Sequence, residues 1–92
     1  MEIILDGALM TDRTAVHDLL AEKFGFPDYY GRNLDALYDL LSAYSVPVAV
    51  TIVHEAQMHD NLGSYGKSLL RTLHDGSSSN PNVKLSVFNE NI

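Results

Sequence analysis

The stretch FPDYYGRNLDALYDLL, residues 26–41, marks the place where one helix must stop and another can begin. Pro27 cannot continue a helix interior, because its ring clashes with the preceding turn and it has no N–H to donate. Asn33 is a strong N-cap residue. The positions that then repeat at helical spacing are Leu34, Leu37, Leu40 and Leu41. This pattern predicts an amphipathic helix that begins near Asn33 and buries its leucines.

The residues before this stretch predict a strand and a helix. MEIIL, residues 1–5, is rich in β-branched residues and is followed by Asp6-Gly7, so it is expected to be a strand. Thr11 or Asp12 can cap a helix that Gly25 ends. His17 is expected on the polar side of this helix.

The residues after it predict two more strands with helices between them. SVPVAVTIV, residues 45–53, is apolar almost without a break, which is typical of a strand covered on both faces. Residues 54–63 are a short helix candidate, and a longer helix is expected from Ser64 to Gly76. GSSSNPN, residues 76–82, has the composition of a loop, and residues 83–88 that of a strand. Because helices connect the successive strands, we expect a small α/β fold. It would be one domain over residues 1–92, with a three-stranded parallel sheet and helical crossovers.

Composition restricts the class of protein. The net charge is −6 and there is no cysteine. An acidic surface repels nucleic acid and favours a basic partner, although solubility alone also explains such a charge. Disulfides and thiolate–metal sites are excluded. No apolar run approaches the roughly 20 residues of a membrane span, and MEIILDGALM lacks the pattern of a signal peptide. We therefore expect a cytoplasmic protein.

The histidines do not predict catalysis or a metal site. His54, Glu55 and His59 form H-E-x-x-x-H, one residue longer than the zinc protease motif. The extra residue rotates the second histidine off the shared helix face, so we expect polar surface residues. Nothing in the sequence around His74 or around the serines of residues 77–79 indicates a catalytic nucleophile. We predict no enzyme activity, metal or cofactor.

One face of the helix after Asn33 is not explained by folding. On a helical wheel with Asp35 at 0°, Asp39 falls at about 40°, Ser42 at about 340° and Tyr38 at about 300°, opposite the leucines. Three readings stay open. The face is a partner-binding surface, or a solvated face beside tyrosines of the core such as Tyr30 or Tyr44. The third is a catalytic carboxylate pair, which we rank last because an exposed face does not separate two carboxyl pKa values.

PDYYGRNLDALYDLL, residues 27–41, resembles the signature of the barstar family of intracellular ribonuclease inhibitors. The resemblance implies three parallel strands with packed helices, and a protein that blocks the active site of a basic ribonuclease. The matching partner-binding positions are Tyr29, Asn33, Asp35, Tyr38, Asp39 and Tyr44. Gly31 and Ser42 match as backbone or close-approach contacts, and Asp75 matches a further acidic contact.

The mechanism that the resemblance implies is mimicry of RNA. In that mechanism Asp39 would occupy the phosphate site of the ribonuclease through charge-assisted hydrogen bonds. Tyr29 would stack on a catalytic imidazole, and Asp35 would meet groups that read the base or an adjacent phosphate. The expected partner is a secreted, barnase-like, guanyl-preferring ribonuclease, bound by a monomer in a 1:1 heterodimer of a bacterial antitoxin-like pair.

Four positions depart from the family pattern. The best-known member has tryptophan at the positions of Tyr38 and Tyr44, glycine at Ala43 and an acid at Arg32. The alternative to the barnase-like partner is therefore a barstar-like binding module with a different partner.

Overall fold

The computed structural model describes residues 1–89. It is an α/β fold, as predicted, and the predicted domain boundary at residue 92 lies outside the described part. The chain order is β1 (Glu2–Asp6), a short 3₁₀ turn (Gly7–Leu9), α1 (Arg13–Phe24), α2 (Leu34–Ser42), β2 (Val48–Val53), α3 (Glu55–Leu62), α4 (Ser64–Ser79) and β3 (Val83–Val87).

The ends of α1 follow the local sequence signals. The Asp12 carboxylate accepts a 2.8 Å hydrogen bond from the Ala15 backbone N–H and so caps the first turn. Gly25 ends the helix in the left-handed conformation with φ 68°, which a residue with a side chain adopts less readily. The predicted helix between Asp12 and Gly25 is confirmed.

The sheet is parallel and has the order β1-β2-β3. Ile3 is paired with Val50, and Val50 with Leu85, so these side chains point to the same face and pack into the core. The opposite face is open to solvent at Ala49 and Ser86. The prediction that β2 is covered on both faces was wrong. Alternate residues of β2 face the core, and its other side is buried only near the end of the strand.

The predicted end of α4 at Gly76 was also wrong, because the helix continues to Ser79. Gly76 is buried inside α4, where a β-carbon would lie 2.9 Å from the Leu41 Cβ. A side chain at position 76 would therefore separate α4 from α2. Gly76 permits the close approach of two helices, and the serines at 77–79 belong to the last turn of α4 rather than to a loop.

Candidate partner-binding surface

Helix α2 presents carboxylates on one side and leucines on the other. The Asn33 side chain accepts a 2.8 Å hydrogen bond from the Ala36 N–H and starts the helix where the sequence predicts. Leu37 and Leu41 are fully buried, whereas Asp35 and Asp39 are exposed. The helix therefore holds both carboxylates on a fixed outward face.

Tyr29 and Tyr30, adjacent in the chain, point in opposite directions. Tyr30 is 7% exposed and packs on Phe26 with a ring separation of 4.8 Å, as the core reading of this residue predicts. Tyr29 is 82% exposed. Tyr29, Gly31 and Asp39 line one cavity of about 190 Å³. An anchored loop thus places an exposed aromatic ring beside an exposed carboxylate.

The last turn of α4 fixes the aromatic part of the surface. Tyr38 is 37% exposed, and its hydroxyl lies 2.8 Å from the Ser79 Oγ. The Ser42 hydroxyl donates to the Tyr38 carbonyl at 2.6 Å, within the same helix. Sequence reasoning missed Ser79, because nothing in the local pattern of a Gly-Ser stretch indicates a contact with a residue 41 positions away.

Asn80 joins the end of α4 to the end of α2. Its buried side-chain N–H groups donate to the carbonyls of Leu41 and Tyr44, each at 2.8 Å. Asn82 donates a third hydrogen bond, to the Tyr44 carbonyl at 3.2 Å. These bonds provide side-chain donors to carbonyl groups at and just beyond the end of α2, where no further helical turn provides them. The candidate partner-binding face therefore ends in a hydrogen-bonded segment, which the sequence did not predict.

Tyr44 and Asp75 lie apart from the cavity beside Asp39. Tyr44 is half-buried, its hydroxyl donates to the Phe24 carbonyl at 3.3 Å, and its ring packs edge-on against Phe24. Asp75 is exposed and lines a separate groove with Lys67 and Arg71 of α4. Of the predicted binding residues, the structure brings Tyr29, Gly31 and Asp39 together around one cavity.

His17 was wrongly predicted to lie on the polar side of α1. It is 2% exposed, with Nδ1 2.5 Å from the Tyr30 hydroxyl and Nε2 2.7 Å from the Tyr65 hydroxyl. Burial, together with the nearby Arg32 charge, lowers the pKa of His17. Burial also raises the pKa of Tyr30 and Tyr65. The hydrogen-bonded triad of His17, Tyr30 and Tyr65 connects α1 and α4 to the loop that contains Tyr29.

The H-E-x-x-x-H segment forms two separate contacts. His54 lies 2.7 Å from Asp6 through Nδ1, whereas His59 lies 3.1 Å from Glu55 on the same helix. Among residues 1–89, no three histidine or acidic side chains converge on a common point that could hold a metal ion. In the same range, no helix combines the length and apolar character that a membrane crossing requires.

Comparison with known proteins identifies the family of the chain. A family model described as Barstar (barnase inhibitor) matches residues 1–89. The chain belongs to the Barstar family. The match includes every helix and strand from β1 to β3, so the resemblance in residues 27–41 extends over the described fold. A curated relative from Bacillus subtilis strain 168, named "Putative ribonuclease inhibitor YrdF", is 37% identical over 75 residues. The aligned part is 80% of this chain and 82% of the relative.

Proposed function

We propose that this Barstar family protein inhibits a basic, barnase-like ribonuclease by inserting the outward face of α2 and the loop before it into the active-site cleft. The observation that carries the proposal is the exposed Tyr29 ring beside the exposed Asp39 carboxylate, around one cavity. A ribonuclease cleft gathers cationic groups that bind phosphate, and a carboxylate forms short, charge-assisted hydrogen bonds with such groups.

Binding to a cationic cleft would stabilise the two negatively charged aspartates of α2. Asp35 and Asp39 are one helical turn apart, and like charges at this spacing destabilise an isolated helix. Asp35 lies in the first turn, where the helix dipole stabilises a negative charge, but Asp39 lies beyond it. Cations of the partner would relieve the repulsion between the two carboxylates. The net charge of −6 would also speed the encounter at low salt.

The proposed complex contains one inhibitor and one ribonuclease, and it protects the cytoplasm of the cell that makes the enzyme. The exposed carboxylates do not favour an enzymatic role, since neither is withdrawn from water as acid–base catalysis by paired carboxylates requires. A binding module with another partner is the second candidate, because Arg32 adds a positive charge next to Asn33 and Gly31.

The direct test is titration of the protein into a guanyl-preferring microbial ribonuclease and into ribonucleases from the same genome, with RNA cleavage as the readout. Asp39→Ala should weaken inhibition about tenfold to hundredfold, the value of a hydrogen bond to a charged group. Asp60→Ala removes an equally charged, exposed aspartate from α3 and is the matched control. Full cleavage by every enzyme tested, in the presence of excess protein, would refute the inhibitor role.

A further inference from the structure

The loop that enters α2 separates two cavities of opposite charge. On one side is the cavity of about 190 Å³ that Tyr29 and Asp39 line. On the other side is a cavity of about 270 Å³ that Arg13 and Arg32 line together with Tyr65. We call the second one the Arg13/Arg32 cavity. The acidic recess and the basic recess are therefore only a few residues apart along the chain.

The Arg13/Arg32 cavity keeps a positive charge that its own neighbours do not cancel. The Arg32 guanidinium donates to the exposed Asp18 carboxylate. The Arg13 guanidinium lies 4.3 Å from the centre of the Tyr65 ring, and within residues 1–89 it forms no ion pair with a carboxylate. Two guanidinium groups and one carboxylate leave one net positive charge at the mouth of the cavity. The chain as a whole carries −6, so the charge of this recess is opposite in sign to the net charge of the molecule.

The Arg32 backbone turns the guanidinium away from the acidic face. Arg32 has φ 55°, in the left-handed region that a residue with a side chain seldom adopts. Its side chain lines the cavity beside α1 and pairs with Asp18, rather than lining the cavity that contains Asp39. The side chain is 52% exposed, so a partner can reach it. Asp18 therefore holds the guanidinium in place without burying it.

We propose that the Arg13/Arg32 cavity is a second charged subsite, which receives a carboxylate of the ribonuclease while Asp39 meets the basic cleft. This inference rests on the proposed function and specifies the partner: a basic active-site cleft with an acidic residue on its rim. The planar guanidinium of arginine offers paired N–H donors that match the two oxygens of a carboxylate. The two subsites of opposite sign would also fix the orientation of the complex and reject a ribonuclease whose rim is entirely basic.

Reversing the charge of Arg32 tests the proposal. We expect Arg32→Glu to weaken binding of the ribonuclease that the wild-type protein inhibits by about tenfold or more, measured by titration calorimetry. Lys84→Glu makes the same change of charge on the exposed side of β3 and is the matched control. It should leave the affinity nearly unchanged. Tighter binding by Arg32→Glu, or equal effects of the two reversals, would overturn the subsite.

A second variant addresses folding. Asn tolerates the left-handed conformation better than most residues, so Arg32→Asn removes the charge while keeping the backbone. It should also weaken binding, although less than Arg32→Glu does. A wild-type affinity in folded Arg32→Asn would contradict the role of the guanidinium.

Two further measurements separate failure of the subsite from failure of the inhibitor role. If Asp39→Ala weakens binding while Arg32→Glu strengthens it, the subsite is wrong and the inhibitor role stands. If no ribonuclease binds, the inhibitor role is wrong, and sodium acetate then serves as a probe without a partner. Acetate should shift the side-chain N–H signals of Arg13 and Arg32 in NMR spectra more than sodium chloride does at equal ionic strength. Equal shifts with the two salts would overturn carboxylate binding as well.

Discussion

Acidification should destabilise the protein through His17. The imidazole is 2% exposed and both ring nitrogens contact tyrosine hydroxyls, at 2.5 Å and 2.7 Å. A neutral imidazole has one donor and one acceptor nitrogen, so one tyrosine donates to the ring and the other accepts. Protonation makes both nitrogens donors, so the hydroxyl that donated must turn and accept instead, and it places a charge in a poorly hydrated site.

The sign and size of the effect follow from proton linkage. Burial lowers the pKa of His17 below its ordinary value of 6.5, so the unfolded chain binds this proton at a higher pH than the folded one. The folded protein is therefore most stable with respect to this group above pH 6.5, and it loses stability as the pH falls below 6.5. Below about pH 6.5 the free energy of unfolding falls by at most about 1.4 kcal/mol per pH unit, and above that pH it changes little. Between about pH 7.5 and about pH 5.5 the free energy of unfolding should therefore fall by up to about 1.4 kcal/mol, which lowers Tm by about 6 to 11 °C.

Urea unfolding followed by circular dichroism at several pH values measures this loss directly. His17→Gln should remove most of the dependence between about pH 7.5 and about pH 5.5, and it should also lower the stability at neutral pH because the tyrosine hydroxyls lose their partner. His74→Gln, at an exposed position, is the matched control and should keep the wild-type slope. An unchanged slope in His17→Gln, or a wild-type stability that rises on acidification, would refute the reasoning.

Four other perturbations test the packing. Gly76→Val should lose about 1–3 kcal/mol by overpacking against Leu41, and urea unfolding that shows equal or greater stability would contradict the close helix contact. Leu41→Ala, at a fully buried position, should lose about 2–5 kcal/mol with an unchanged m value. Asn33→Ala should lose about 0.5–2 kcal/mol and reduce the helical signal, since the N-cap bond is removed. Above pH 10, the unfolded chain should release the proton of Tyr30 before the folded chain does, so stability should fall as the pH rises. Tyr30→Phe should lessen this alkaline loss in the same unfolding assay.

The sequence predicted the elements whose signals are local. Asn33 and the leucines after it specify α2 without reference to any distant residue, and Asp12 and Gly25 do the same for α1. The sequence also contains a signal for the solvent-exposed face of the sheet. Lys84 and Ser86 alternate with apolar residues in β3, and this alternation indicated a solvated face that the apolar run of β2 concealed.

Contacts between distant parts of the chain were beyond prediction. Gly76 resembles a helix end by composition, and its packing role depends on Leu41, which lies 35 positions earlier. His17 is buried by tyrosines 13 and 48 positions away. At the candidate site, Tyr29 and Asp39 follow from local pattern and family resemblance, whereas the contact of Ser79 with Tyr38 requires the packed fold.

The solvated side of the sheet offers a convenient handle for experiments. Ser86 points away from the core, and the chain contains no cysteine, so Ser86→Cys would create a single thiol for selective chemistry. Biotin or a dye attached there would leave Tyr29 and the aspartates of α2 uncovered. A protein immobilised on a sensor surface through position 86 would present its candidate binding face in one uniform orientation.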